Sequence, residues 1–185
     1  MKTKSPIYRQ LIGAVAILAS FSSTAHADDL LKNGDFASMS AGAPTGWKAY
    51  ENKQELALDT EEITGDSKQS LRVDIVADGG KSLGQIVQKV PVIPGNKYVF
   101  TVDMKSTTAG QAIGQIKLIV GSSEIKRMNT SKSGPDWTPV KLEFDSGEAN
   151  MVWVVLRYNQ RADNINQKVW FANASLKPAE MAPAP

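Results

Sequence analysis

The sequence predicts an all-β sandwich of two antiparallel sheets. Three observations carry this reading. Four runs alternate apolar and polar residues with a period of two: Leu71-Val73-Ile75, Tyr98-Phe100-Val102-Met104, Ile116-Leu118-Val120 and Val140-Leu142-Phe144. That period puts every second side chain on one face of a strand. Turn formers punctuate them, notably Pro94-Gly95-Asn96 and Ser133-Gly134-Pro135-Asp136, whose φ values are fixed or permissive. No segment carries an apolar stripe of helical spacing. Several short strands at such spacing read as a sandwich.

Along the chain, residues 1–27 read as a cleaved export signal. Lys2, Lys4 and Arg9 give a basic start, Leu11 to Phe21 form a short apolar run, and Ala25-His26-Ala27 is a small-x-small cleavage site. The run is shorter than a bilayer span needs. No cysteine follows it, which excludes a lipid anchor there. Residues 28–177 read as one domain, with further strands near 29–32, 46–50, 55–59, 84–91, 151–158 and 167–176. Ser40-Ala41-Gly42-Ala43-Pro44 reads as a loop, and the Pro/Ala-rich residues 178–185 as a disordered tail.

Composition excludes several chemistries. Cleavage after Ala27 leaves 158 of the 185 residues, enough for a full core. Removing three of the 21 Lys+Arg and none of the 19 Asp+Glu leaves 18 against 19, a net charge of −1. A near-neutral chain without a basic run argues against nucleic-acid binding. His26 is the only histidine and there is no cysteine. The processed chain would therefore lack imidazole and thiol, which rules out Ser-His-Asp and Cys-His nucleophiles and the usual zinc and copper sites. No cofactor is expected. Oxygen-ligated calcium is the one plausible metal.

Several short motifs recur in a characteristic order. They are Asn33-Gly34-Asp35-Phe36, Gly46-Trp47, Ser70-Leu71-Arg72-Val73, Gln88 ahead of Pro94-Gly95-Asn96-Lys97-Tyr98, Trp137-Thr138-Pro139-Val140, and the closing Ala172-Asn173-Ala174-Ser175-Leu176. Together they resemble the carbohydrate-binding modules of the family 4/9/22 type, covering nearly all of the chain after residue 27. The resemblance implies a galactose-binding-like jelly-roll β-sandwich that binds poly- or oligosaccharide without catalysis. It also implies a structural calcium site in many members, with carboxylates after the Phe and in the closing strand. Here those positions hold Ala37 and Asn173. Calcium takes six or more oxygens, many from carboxylates, so tight calcium is not expected, which leaves weak binding by Asn173 and main-chain carbonyls.

A sugar site needs flat aromatic faces and planar polar side chains. Phe36, Tyr98, Phe100, Phe144 and Phe171 read as core, as do Trp47 and Trp137, and Trp170 is ambiguous. In Met151–Tyr158, core-facing Val152, Val154 and Leu156 would leave Trp153 and Arg157 together on the other face. Those two lie about 13 Å apart at roughly 3.3 Å per residue. The competing reading is a strand buried on both faces, since a continuous apolar run looks the same. Gln88, Asp103 and Lys117 are expected to complete a groove, with Tyr50 at its rim and Thr101 and Gln115 as further outward polar residues.

Three functions compete. The first is an exported carbohydrate-binding module, periplasmic or extracellular, that does not insert in a membrane after signal cleavage. The second is a polysaccharide hydrolase or lyase, for which Glu61, Glu62 and Asp103 are unpaired candidates. The third is a protein-interaction or envelope-assembly module with a protein partner, since fold does not fix function.

Overall fold

The computed structural model describes residues 28–50, 53–80 and 83–179. The expected signal and the last residues of the expected tail lie outside them. The strands in chain order are β1 (Met39–Ser40), β2 (Ala43–Pro44), β3 (Lys48–Tyr50), β4 (Glu55–Asp59), β5 (Ser70–Asp74), β6 (Leu83–Pro91), β7 (Lys97–Ser106), β8 (Ala112–Val120), β9 (Ser123–Lys132), β10 (Thr138–Asp145), β11 (Met151–Asn159) and β12 (Lys168–Pro178). Among the described residues the only helix is a single 3-10 turn, Ala162–Asn164. None is long and apolar enough to cross a membrane.

Two five-stranded sheets form the sandwich, as the alternation predicts. Sheet 1 runs β10-β7-β12-β5-β4 and sheet 2 runs β3-β6-β11-β8-β9. Every ladder in them is antiparallel. The alternating residues meet between the sheets, except that Val120 ends β8 exposed and Leu142 is only partly buried. Leu71, Val73, Phe100, Met104 and Phe171 come from sheet 1, and Ile86, Ile116, Val154, Leu156 and Tyr158 from sheet 2, all at 1% exposure or less. Each such side chain contributes roughly 1.5–3 kcal/mol through burial. Phe36 and Trp47 join this core with ring centroids 5.7 Å apart, and Tyr98 stacks on Phe144 at 5.8 Å. The five phenylalanine and tyrosine residues expected in the core are all buried, as is Trp47, whereas Trp137 is only half-buried.

Three local readings are corrected. Residues 29–32 form no strand and bend at Leu31 and Lys32: Leu30 N–H donates to Leu176 O at 2.8 Å, and Asp29 Oδ1 accepts from Leu176 N–H at 3.0 Å. Ser40 to Pro44 contains a small hairpin, β1 with β2. Strand β9 was not anticipated, because it is a solvated edge strand with nine of its ten residues polar or outward and exposed apart from Met128 and Thr130. The sheet also keeps the chain longer than expected: β12 reaches Pro178, and Ala179 N–H donates to Lys97 O at 2.9 Å.

The first and last motifs lock together. A bulge between Ala172 and Ser175 interrupts the pairing of β12 with β7, with Asn173 at φ 51°. This turns Ala174 N–H onto Gly34 O at 2.9 Å. The two backbones are so close that a Cβ on Gly34 would lie 1.9 Å from the Ala174 carbonyl oxygen. Asn33 fixes the same turn, donating from Nδ2 to Ser38 O and Thr45 O and accepting Ser38 N–H.

The clash at Gly34 is with backbone, so no rotamer relieves it. Gly34→Ala is expected to lower unfolding free energy by about 3 kcal/mol or more. Gly42→Ala, where only the φ of 76° resists and nothing lies within 4 Å, should cost about 1–2 kcal/mol. Urea unfolding of both variants checks the contrast.

Candidate functional site: the outer face of sheet 2

Strand β11 is central in sheet 2, and its alternation sets the site. Val152, Val154, Leu156 and Tyr158 point into the core, so Met151, Trp153, Val155, Arg157 and Asn159 point out. Antiparallel register then aligns rows across the outer face. Trp153 lies opposite Lys89 of β6 and Lys117 of β8, and Lys117 lies opposite Arg127 of β9. Val155 lies opposite Val87 and Gln115, with Lys48 beyond Val87 and Asn129 beyond Gln115. Arg157 lies opposite Gln85 and Ile113, with Tyr50 beyond Gln85 and Lys132 beyond Ile113. Val87 and Val155 are buried yet belong to no part of the inter-sheet core, so they floor the middle of this face.

Trp153 is half-buried. Lys89 Nζ stands 4.3 Å from its ring centroid and Lys117 Nζ 5.5 Å, both within cation–π range. Its indole Nε1 is buried with no hydrogen-bond partner. Lys117 also lies 3.6 Å from Glu124, but both Glu124 oxygens are held by Arg127, at 2.6 and 2.9 Å. That guanidinium holds the Glu124 carboxyl below its usual range. At the rim, Lys48 Nζ sits 4.9 Å from the Tyr50 ring.

Beside Arg157 a cavity of about 260 Å³ opens between β8, the residues before it and the end of β11. Gln111, Gln115 and Asn159 line it with Arg157 and Lys132. Gln115 Oε1, Gln111 Oε1 and Asn159 Oδ1 are buried amide oxygens without a hydrogen-bond partner. The Gln115 side chain is only 2% exposed, and its Nε2 is spent on Asn129 Oδ1 at 2.6 Å. Buried acceptors of this kind cost roughly 1–3 kcal/mol each when unmatched.

Four of the six expected site residues, Trp153, Arg157, Lys117 and Tyr50, share this face. The other two do not. Gln88 has the parity of Ile86 and Val90 and points inward; its amide accepts Lys32 N–H and donates to Lys32 O, both at 2.8 Å, which latches the first segment to β6. Asp103 lies on the outer face of sheet 1, where it accepts from Asn173 Nδ2 at 2.9 Å. Thr101, on the same strand, is there too. Lys89, Gln111, Asn129 and Asn159 were missed. Lys89 was legible from the parity of β6, once Ile86 and Val90 are taken as core.

The donors around the first motif do not fit a calcium ion. Ala37 supplies no side-chain oxygen, and Asn173, whose Nδ2 donates to Asp103, offers one amide oxygen where a tight site would have a carboxylate. Asp35 Oδ1 accepts the Ala37 N–H at 3.2 Å. No group of three or more carboxylate, imidazole or thiolate side chains gathers anywhere among the described residues.

Trp170 also points away from the core but is closed over, at 7% exposure. Its Nε1 donates to Asp59 Oδ2 at 3.0 Å, and Lys105 Nζ lies 5.6 Å from its ring while pairing with Glu62 at 2.6 Å. Asp59 also binds Arg72 at 3.1 Å and accepts the Glu61 and Glu62 N–H groups. Burial works against its ionisation and is the largest single influence, but the donors of Glu62, Trp170, Glu61 and Arg72 together outweigh it and bring its pKa down to about 2.

With this geometry in place, the comparisons can be read. Residues 28–160 match the family model for a carbohydrate binding domain, CBM_4_9. The chain belongs to that family. No protein of curated function matches it in sequence. Among solved structures it is similar to a CBM61 in complex with β-1,4-galactotriose, with TM-score 0.59, 13% identity and coverage of 82% of this chain and 99% of that one. It is also similar to the CBM22-1 xylan-binding domain of Paenibacillus barcinonensis Xyn10C, with TM-score 0.58, 12% identity and coverage of 84% and 97%. The enzymatically active domain of bacteriophage CBA120 tailspike protein 4 gives TM-score 0.64 at 12% identity over 82% of this chain, which spans only 21% of that protein. At such identities these likenesses establish the shared sandwich alone.

Because the Asp59 pKa is lower folded than unfolded, the unfolded state takes up its proton first as pH falls. The stabilisation is present above about pH 4 and disappears by about pH 2. The shift from 3.8 to about 2 corresponds to roughly 2 kcal/mol. Urea unfolding at pH 5 and at pH 2 should therefore show a loss in the parent protein about 2 kcal/mol larger than in Asp59→Asn.

Proposed function

We propose that this protein is an exported, non-catalytic binder of carbohydrate, and that the outer face of sheet 2 holds the sugar. The observation that carries the reading is the cavity beside Arg157, where three buried amide oxygens stand without donors. Sugar hydroxyls are donors of the right kind, and a family of carbohydrate-binding domains supplies the class of ligand. Arg157 and Lys132 offer the complementary donors, and Trp153 offers an apolar ring to the C–H patches of a neighbouring sugar. The galactotriose and xylan named for two similar structures are consistent with a face that accepts chains.

Absence of hydrolysis is supported by the distribution of carboxylates. A glycosidase sets two of them about 5–10 Å apart across the bond. Among the described residues Glu124 is the one carboxylate registered on this face, and Arg127 holds it. Glu62 and Asp103 are engaged at sheet 1, by Lys105 and Asn173. Export, to the periplasm or beyond, is supported by the basic start, apolar run and small-x-small site of residues 1–27.

Titrating intrinsic tryptophan fluorescence against a panel of soluble polysaccharides tests the reading. A saturable change is expected, lost in Trp153→Ala. Gln115→Met, which keeps the volume but removes the amide, should weaken binding about tenfold, the value of one hydrogen bond. A folded protein that responds to no glycan would overturn the proposal.

A further inference from the structure

We infer that the glycan bound on the outer face of sheet 2 is anionic, a polysaccharide bearing uronate carboxylates. This rests on the carbohydrate-binding reading and deepens it. Two observations, independent of the cavity, carry it.

The first is the state of the Trp153 ring. Lys89 and Lys117 approach it from the strands on either side, at 4.3 and 5.5 Å from the centroid. An ammonium at that distance occupies the space in which a sugar ring would stack. A neutral sugar must push a cation off the indole and offers it only uncharged hydroxyl acceptors in return. A sugar carrying a carboxylate offers the displaced ammonium a new partner of opposite charge. Lys89 is the cation free to do this, since it is exposed and makes no ion pair among the described residues; Lys117 shares Glu124 with Arg127, from 3.6 Å, so that two cations divide one carboxylate.

The second is the charge of the face as a whole. Leaving Arg157 aside, its registered positions hold Lys48, Lys89, Lys117, Arg127 and Lys132 against Glu124 alone among the described residues. The full chain is nearly balanced, with 21 Lys+Arg to 19 Asp+Glu, so the excess is positional. The outer face of sheet 1 shows the contrast. There Arg72 pairs with Asp59 and Asp74, Lys105 with Glu62, Lys141 with Glu143, and Lys168 approaches Asp74. A one-signed face raises the local concentration of a ligand of the opposite sign and favours it over neutral competitors.

The test compares polygalacturonate and alginate with carboxyl-reduced polygalacturonate, xylan and galactan, and adds dextran sulfate as a charge-only control. Binding is followed by Trp fluorescence and affinity electrophoresis for the parent protein, Lys89→Gln, Lys117→Gln and Trp153→Ala. The expected result is binding to a polyuronate that is lost on carboxyl reduction, weakens about tenfold for each lysine removed, and falls steeply between 50 mM and 500 mM salt. Lys89→Gln removes an exposed charge and should unfold as the parent does; Lys117 is largely covered and paired with Glu124, so urea unfolding of Lys117→Gln beside the parent separates lost binding from lost stability. Binding to a neutral glycan that is unaffected by the lysine variants would overturn the inference and leave the carbohydrate-binding reading standing. Equal binding to dextran sulfate and every polyuronate, unchanged in Trp153→Ala, would also overturn it, showing adhesion to any polyanion. No binding to any probe by a folded protein would remove both.

Discussion

The register of β11 is the constraint on which the molecule turns. This strand is hydrogen-bonded to β6 along its whole length and to β8 along nearly all of it, so it can neither slip nor twist independently. Its even-numbered residues are core and its odd-numbered residues form the outer face. A slip of one residue would exchange the two sets, exposing Val152, Val154, Leu156 and Tyr158 while burying Trp153 and Arg157. Gly84 enforces the register from the neighbouring strand. It lies opposite Tyr158, and a Cβ there would come within 2.3 Å of the Tyr158 ring. That ring is fully buried, and desolvation pushes its phenol well above the ordinary tyrosine range. The packing that stabilises the sandwich and the presentation of the proposed binding face are thus one arrangement viewed from two sides.

The opposite end of the sandwich depends on a different contact, the closure of the first turn on the last strand. Where the family resemblance implied carboxylates for calcium, this chain has Ala37 and Asn173. It ties the same region with neutral amides instead: Asn33 spans Ser38 and Thr45, and Asn173 reaches Asp103. Gln88 adds a third such tie, to both backbone groups of Lys32. Amide staples do not depend on metal supply and release no charge into the low-dielectric rim, whereas a metal would demand several oxygens converging on one point.

Much of this was legible in the sequence because the strands alternate cleanly. Where apolar residues recur every second position, as in β5, β7 and β10, both the strand and its inner face follow directly. Sequence reading failed where polarity and parity disagree. Gln88 is polar and was placed outside, yet it shares the parity of Ile86 and Val90, and a tertiary partner, the Lys32 backbone, satisfies it. Asp103 was placed on the right side of its own strand but on the wrong sheet, because alternation within a strand says nothing about which strands are neighbours. Strand β9 escaped notice because an edge that buries little needs no apolar pattern. Sequence alone could not resolve whether Met151–Tyr158 carried a platform or a doubly buried strand. Both descriptions hold in part: Val155 is sealed, and Trp153, two residues earlier, is half open.

Trp153 and Trp170 show how one residue type acquires two roles. Each stands on the outer face of a central strand, each has a lysine over its ring, and each interrupts an apolar run. The difference lies in the indole N–H and in the charges around it. At Trp170 the N–H finds Asp59, the lysine finds Glu62, and Arg72 closes the remaining carboxylate valence, so every donor has an acceptor within the protein. Such a site is complete, and a ligand could only compete with bonds already made. At Trp153 the N–H has no partner and two lysines share one ring, with the nearest carboxylate already claimed by Arg127. The protein has left donors there without acceptors, and a few residues along the same strand it has left acceptors without donors. Unmatched groups of both kinds are a standing cost to the folded state, and the Trp170 cluster shows an outer-face tryptophan that avoids it. A face that retains it, on a strand paired along both edges, is one whose cost the proposed glycan would relieve, with hydroxyl donors at one end and negative charge at the other.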